Sequence, residues 1–177
     1  MLEKQVRQRT ALKEKYPKDP PVPSRVPRDP ETGNYTDCAA RIREIYARNC
    51  FMADYFHIDI DEIHCGSAVV SLQLDPERHT DDGEFVGGDV LSALADAVLG
   101  VTGASLGERV VTVMSSMSFV SPVRAQGRLY CRSRVAHHGR TTMDIQSRIY
   151  GEDGRLVMGM LSVMMNVGKF EGIPAKW

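Results

Sequence analysis

Residues 87–107, GGDVLSALADAVLGVTGASLG, decide how the rest of the chain must be arranged. Val90, Leu91, Leu94, Val98, Leu99 and Val101 cover most azimuths of a helix drawn through them, so protein has to surround it on nearly every side. The flanking sequence supplies the wrapping. Downstream come four extended runs, ERVVTVMSSMSFVSP, GRLYCRSRVAHH, RTTMDIQSRIYGED and RLVMGMLSVMMNVG. Turn signals at Gly127, Gly139 and Glu152-Asp153-Gly154 separate the last three and predict antiparallel neighbours. Upstream, HIDIDEIHC and SAVVSLQLD alternate about a turn at Gly66, with Ala68, Val70, Leu72 and Leu74 on one side, which predicts a hairpin. The sum is an α+β domain in which an antiparallel sheet wraps one long central helix.

Before the hairpin, Thr36 or Asp37 can cap a helix through CAARIREIYARNCFMADYF, where Ile42, Ile45, Tyr46, Cys50 and Met52 or Ala53 fall at helical spacing. Six of the nine prolines lie in the first 35 residues, a density that denies helix and sheet their hydrogen bonds. The predicted organisation is a flexible Pro-rich extension over 1–35, the domain over 36–170 and a C-terminal tail over 171–177. PERHTDDG, ending at Gly83, reads as a polar loop that closes the second strand. The last extended run is apolar on both faces, Leu156, Met158 and Met160 against Val157, Leu161, Val163 and Met165. A strand inside the sheet, or one pressed against a second subunit, has that composition.

At 177 residues the chain has room for one ordinary core, and 42% hydrophobic with 25% charged residues excludes wholesale disorder. A formal charge of -1 lacks the positive field that nucleic-acid binding needs, so no nucleic-acid partner is expected. No apolar run approaches the roughly 18 residues that cross a bilayer, and the N-terminus has no apolar secretory centre. No membrane partner and a cytoplasmic location are expected. Cys38, Cys50, Cys65 and Cys131 form no CxxC pair and read as free thiols; with His79 and His137-His138 they make no recognised metal set.

Asp96 is the position that points to chemistry, because a carboxylate amid an apolar helix must be desolvated, paired or open to a cavity. Ser92, Gly100 and Gly103 share its stripe and are small enough to leave room for a ligand. A structural hydrogen bond is the other reading of the same residue. Gly87-Gly88-Asp89 opens the helix, and its free N–H groups could receive an oxyanion formed on a thioester or carbonyl carbon. A tight loop-to-helix turn explains the two glycines equally.

LADAVLG, SFVSPVRAQGRL and HHGR, in that order and spacing, resemble the hotdog-fold acyl-CoA thioesterases of the phenylacetate-degradation (PaaI-like) type. The likeness runs from about Asn49 to Val167. It implies a hotdog fold, assembly as a homodimer or dimer of dimers, and hydrolysis of acyl-CoA without a cofactor, CoA being part of the substrate. It also implies that Asp96 is the catalytic nucleophile or base and that the Gly88 N–H helps bind the thioester oxygen, with Gly87 and Asp89 beside it at the substrate. Thr112 would reach an active site from a neighbouring subunit, and Gly139 and Arg140 would lie near the CoA nucleotide. Two departures stand out: Gly87-Gly88-Asp89 replaces the family's His-Gly-Gly, and Asp81 replaces its preceding Asn. They motivate the alternative of a non-catalytic acyl-CoA-binding protein. Arg128, Arg132 and Arg134, with Arg140, read as a solvated strand face or as a set that meets CoA phosphates.

Overall fold

The structure, a computed structural model, describes residues 37–80 and 83–177, so the expected extension over 1–35 lies outside the described residues. Asp37 is the helix cap: its carboxylate accepts from the Ala40 N–H at 3.0 Å and starts α1, Cys38–Tyr46. The single helix expected through Phe56 is broken. The Asn49 side chain accepts from the N–H groups of Phe51 and Met52 and restarts the chain as a π-helical turn, Phe51–Phe56. An amide that caps a new turn competes with continuation of the old one, which periodicity alone does not register.

The hairpin forms as expected, β1 (Ile58–His64) against β2 (Ser67–Gln73) about Gly66, whose φ of 83 suits a residue without a Cβ. The next segment is less of a loop than its polarity suggested. Asp75 accepts from the Glu77 N–H and caps a short helix, α2 (Pro76–His79), with Pro76 in its first turn. Then follow α3 (Gly88–Ala104), β3 (Glu108–Phe119), β4 (Arg128–His138), β5 (Thr142–Tyr150) and β6 (Leu156–Lys169).

All six strands form one antiparallel sheet in the order β1-β2-β4-β5-β6-β3. The sheet curves around α3. Leu94, Val98, Leu99 and Val101 are fully buried against Val70, Leu72, Leu129, Ile145, Ile149 and Met158, so the all-round apolar helix is surrounded as its composition demanded. β6 lies inside the sheet, between β5 and β3. Near the C-terminal end of α3 the Thr102 and Ser133 hydroxyls bond to each other, and Ser133 donates to the Ala68 carbonyl at 3.1 Å. Ser105 accepts from the Gly66 N–H at 2.9 Å, and the Trp177 indole N–H donates to the Ser105 carbonyl at 2.8 Å. The helix is thereby pinned at one end to the β1–β2 turn and to the chain terminus. No helix of the described residues is long and apolar enough to cross a membrane.

Two edges remain. β1 is blunted by its charged residues, but β3 is exposed over most of its length and carries Val111, Val113, Met114, Met117 and Phe119 in the open. A long apolar edge of this kind offers a full row of N–H and C=O groups to another strand.

Candidate active site

β3 and α3 together position the candidate residues. The β3 residues Thr112, Ser115, Met117 and Phe119 pair with Met164, Ser162, Met160 and Met158, which are buried on the helix side of the sheet, so these four also face α3. Thr112 donates its hydroxyl hydrogen to Asp96 Oδ1 at 2.9 Å. Asp96 is exposed on the stripe of α3 that the sheet leaves bare, which leaves its other oxygen open to solvent or substrate. The carboxylate thus escapes desolvation by facing outward. Thr112 meets it within one chain, where the resemblance had it arriving from a neighbouring subunit.

At the N-terminal end of the same helix, Gly88 is the first helical residue. Gly87 has no capping side chain, and the Asp89 carboxylate accepts from the Val90 N–H at 2.8 Å. No acceptor among the described residues takes the Gly88 N–H, so it points off the helix end as a free donor with the helix dipole behind it. Phe119 lies beside it: a Cβ built on Gly88 would sit 3.5 Å from the Phe119 ring. β3 therefore carries a marker for each position, Thr112 at Asp96 and Phe119 at Gly88. Phe119 was not singled out from the sequence, although strand alternation from Thr112, corrected for the β-bulge between Thr112 and Met114, reaches it.

The small residues on the Asp96 stripe do not leave an empty channel. A Cβ on Gly100 would come within 2.7 Å of the Tyr46 hydroxyl, and one on Gly103 within 2.5 Å of Val110. These glycines admit protein side chains rather than a ligand, which corrects the expectation drawn from their size.

Residues 86–158 match the thioesterase superfamily. The fold of the chain is the hotdog fold. Hotdog structures agree with it over most of their own length. E. coli PaaI, from the phenylacetic acid degradation operon, is 21% identical over 76% of this chain and 97% of its own, with a TM-score of 0.71. A hypothetical thioesterase from Streptococcus pneumoniae, solved with coenzyme A, is 24% identical over 67% of this chain and 93% of its own, with a TM-score of 0.64. A thioesterase family protein from Silicibacter pomeroyi is 26% identical over 72% and 96%, with a TM-score of 0.64. No curated protein matches the chain.

Within this hotdog domain the remaining site residues are spread out. Gly87 donates its N–H to the His79 carbonyl at 3.1 Å and so fixes the approach to the helix start. Gly139 and Arg140 form the β4–β5 turn, two strands removed from β3 and about 10 Å from it. They do not touch Asp96 or Thr112. Asp81 lies outside the described residues.

His79 lies in the segment read as a polar loop, yet it does not face solvent. It is buried, its ring stacked 6.4 Å from Phe56, and its Nδ1 accepts from the Asp75 N–H at 3.0 Å. Burial lowers its pKa below the ordinary 6.5, with Arg78 and His57 acting in the same direction and Asp75 opposing them. A folded-state value below the unfolded one means that stability is whole above about pH 6.5 and declines as pH falls below it, because the unfolded chain takes up the proton first. Thermal midpoints measured from pH 7 to 5 should fall less steeply for His79→Gln than for the unchanged protein. Equal slopes would contradict this assignment.

Proposed function

We propose that this protein hydrolyses acyl-CoA thioesters to the free acid and CoA, in a homodimer whose two sites each draw on both protomers. The supporting observation is the Thr112–Asp96 hydrogen bond on the exposed stripe of α3 beside an apolar sheet edge. Thr112 holds one carboxylate oxygen of Asp96, and the other takes a proton from water or attacks the thioester carbonyl itself. The oxyanion that forms is received by a Gly88 N–H and collapses to expel the CoA thiolate; attack by water gives the free acid directly, and attack by Asp96 gives a mixed anhydride that water then hydrolyses to the free acid and Asp96.

One chain cannot bring these groups to the same carbonyl. Eight residues of helix at 1.5 Å rise put Gly88 about 12 Å from Asp96, and the Gly88 N–H is directed away from it. Antiparallel pairing of β3 with the same strand of a second copy removes the difficulty. Two-fold pairing runs the partner's strand the opposite way, so the Thr112 end of one β3 lies near the Phe119 end of the other, and Asp96 near the helix start of the partner. The assignment of Asp96 and Thr112 has outside support. Two further structures of the pneumococcal thioesterase carry an aspartate-to-alanine and a threonine-to-alanine change sixteen residues apart, the same spacing as Asp96 and Thr112.

The missing imidazole at Gly87-Gly88-Asp89 favours one competing reading, a hotdog protein that binds acyl-CoA without cleaving it. Purified protein incubated with a panel of acyl-CoA esters separates the two. Release of free thiol supports hydrolysis; thermal stabilisation by the esters without thiol release supports binding alone. The edge is tested by Val113→Lys with Met114→Lys, charges that blunt strand pairing. The expected product is a monomer of about 19.7 kDa with turnover reduced at least a hundredfold. A monomer that keeps its turnover would refute the shared site.

A further inference from the structure

The outer face of the sheet carries an arrangement that thioester hydrolysis does not use. Leu129, Cys131 and Ser133 of β4 face α3, so Tyr130, Arg132 and Arg134 project from the opposite face. The register sets Tyr130 across from Tyr150, Arg132 across from Arg148 and Arg134 across from Gln146 on β5. Arg132 and Arg148 are exposed and directly opposite each other, an arrangement of like charges that weakens a strand pair. Neither has a carboxylate partner among the described residues. Arg134 donates only to Gln146, at 3.0 Å, whereas Arg128 is held by Asp59 at 2.8 Å. The four arginines that the sequence grouped together therefore divide. Arg128 is paired and Arg140 sits on the turn, while Arg132 and Arg134 join Arg148, which the sequence did not single out.

The surface is shaped as well as charged. Arg132, Arg134, Gln146, Arg148 and Tyr150 line a depression of about 130 Å³. It adjoins a larger one of about 440 Å³ bounded by Tyr130, Tyr150, Gly151 and Glu152. We propose that this face binds a nucleoside phosphate, with its phosphate on the Arg132–Arg148 pair and its base against the Tyr130–Tyr150 row. Guanidinium forks match phosphate oxygens and relieve the repulsion between the two arginines. One row along the strands, about 7 Å away, the tyrosine rings offer a flat apolar surface to a base. Glu152 supplies an acceptor for sugar hydroxyls. The site is built on two interior strands, so its spacing is fixed by the ladder. It lies across the sheet from Asp96, so a ligand there cannot present its acyl group to the Asp96 of the same chain.

Calorimetric titration of the full chain with ADP, adenosine and inorganic phosphate tests this, since none is a thioester. ADP is expected to bind saturably and more tightly than either fragment. The double variant Arg132→Gln/Arg148→Gln should weaken ADP binding about tenfold or more while keeping its thermal midpoint in low salt, because a like-charge contact has gone. Three results would overturn the proposal: no ADP binding, inorganic phosphate binding as tightly as ADP, or ADP binding untouched by the double substitution. The last would place the nucleotide elsewhere, as at the Gly139–Arg140 turn. The titration involves no thioester turnover, so failure here is distinct from failure of the hydrolase reading.

Discussion

Asp96→Asn is expected to lower turnover about a hundred- to ten-thousand-fold while leaving the fold and thermal midpoint unchanged. The substitution is close to isosteric, and Asn keeps an oxygen that can accept the Thr112 hydroxyl at the place where Asp96 Oδ1 does so now. What is lost is the second carboxylate oxygen, the only part of the pair free to take a proton or to attack. Because Asp96 is exposed in the single chain, no buried network collapses with it. The loss should fall on kcat with little change in KM, since the role proposed for the group is on the reacting atoms rather than on CoA. Undiminished turnover would remove Asp96 from the chemistry.

Gly88→Pro is the second large effect, and it isolates a backbone atom. Proline at the first helical position lacks the N–H yet suits the helix start, and it requires an extended residue before it. Gly87 already has that geometry, with φ -62 and ψ 145. The added Cβ meets the Phe119 ring at 3.5 Å, an ordinary contact. The helix should form with unchanged stability, and the donor alone disappears. Loss of one oxyanion donor costs about a hundred- to a thousand-fold in kcat. Gly88→Ala, which keeps the N–H, should retain most of the activity. If proline and alanine behave alike, the Gly88 N–H is not the donor.

The architecture was legible because its strongest signals are local. A helix apolar on nearly all azimuths has to be enclosed, and the alternating runs with Gly66, Gly127, Gly139 and Gly154 between them provide an antiparallel sheet to enclose it. The misreadings came where a side chain answers to something distant. Asn49 ends one helix by capping another turn, and His79 is buried because Phe56 covers it. Gly100 and Gly103 are small because Tyr46 and Val110 need the space. The order of strands was equally hidden, since alternation says which face is buried and not which neighbour pairs; β3 crosses to the far edge beside β6. That placement is what brings Thr112 to Asp96 within one chain and leaves an apolar edge for a second copy.

The shared site can be tested without a structure of the dimer. Asp96→Asn and Gly88→Pro proteins, each inactive alone, are mixed in equal amounts under conditions that let subunits exchange, and thiol release is measured. Half of the resulting dimers are mixed, and each mixed dimer holds one site with an intact Asp96 and an intact Gly88 on opposite protomers. Activity should therefore return to about one quarter of that of the unchanged protein. A mixture as inactive as its components would mean that the two groups do not meet across protomers, and the account given for this site would be wrong.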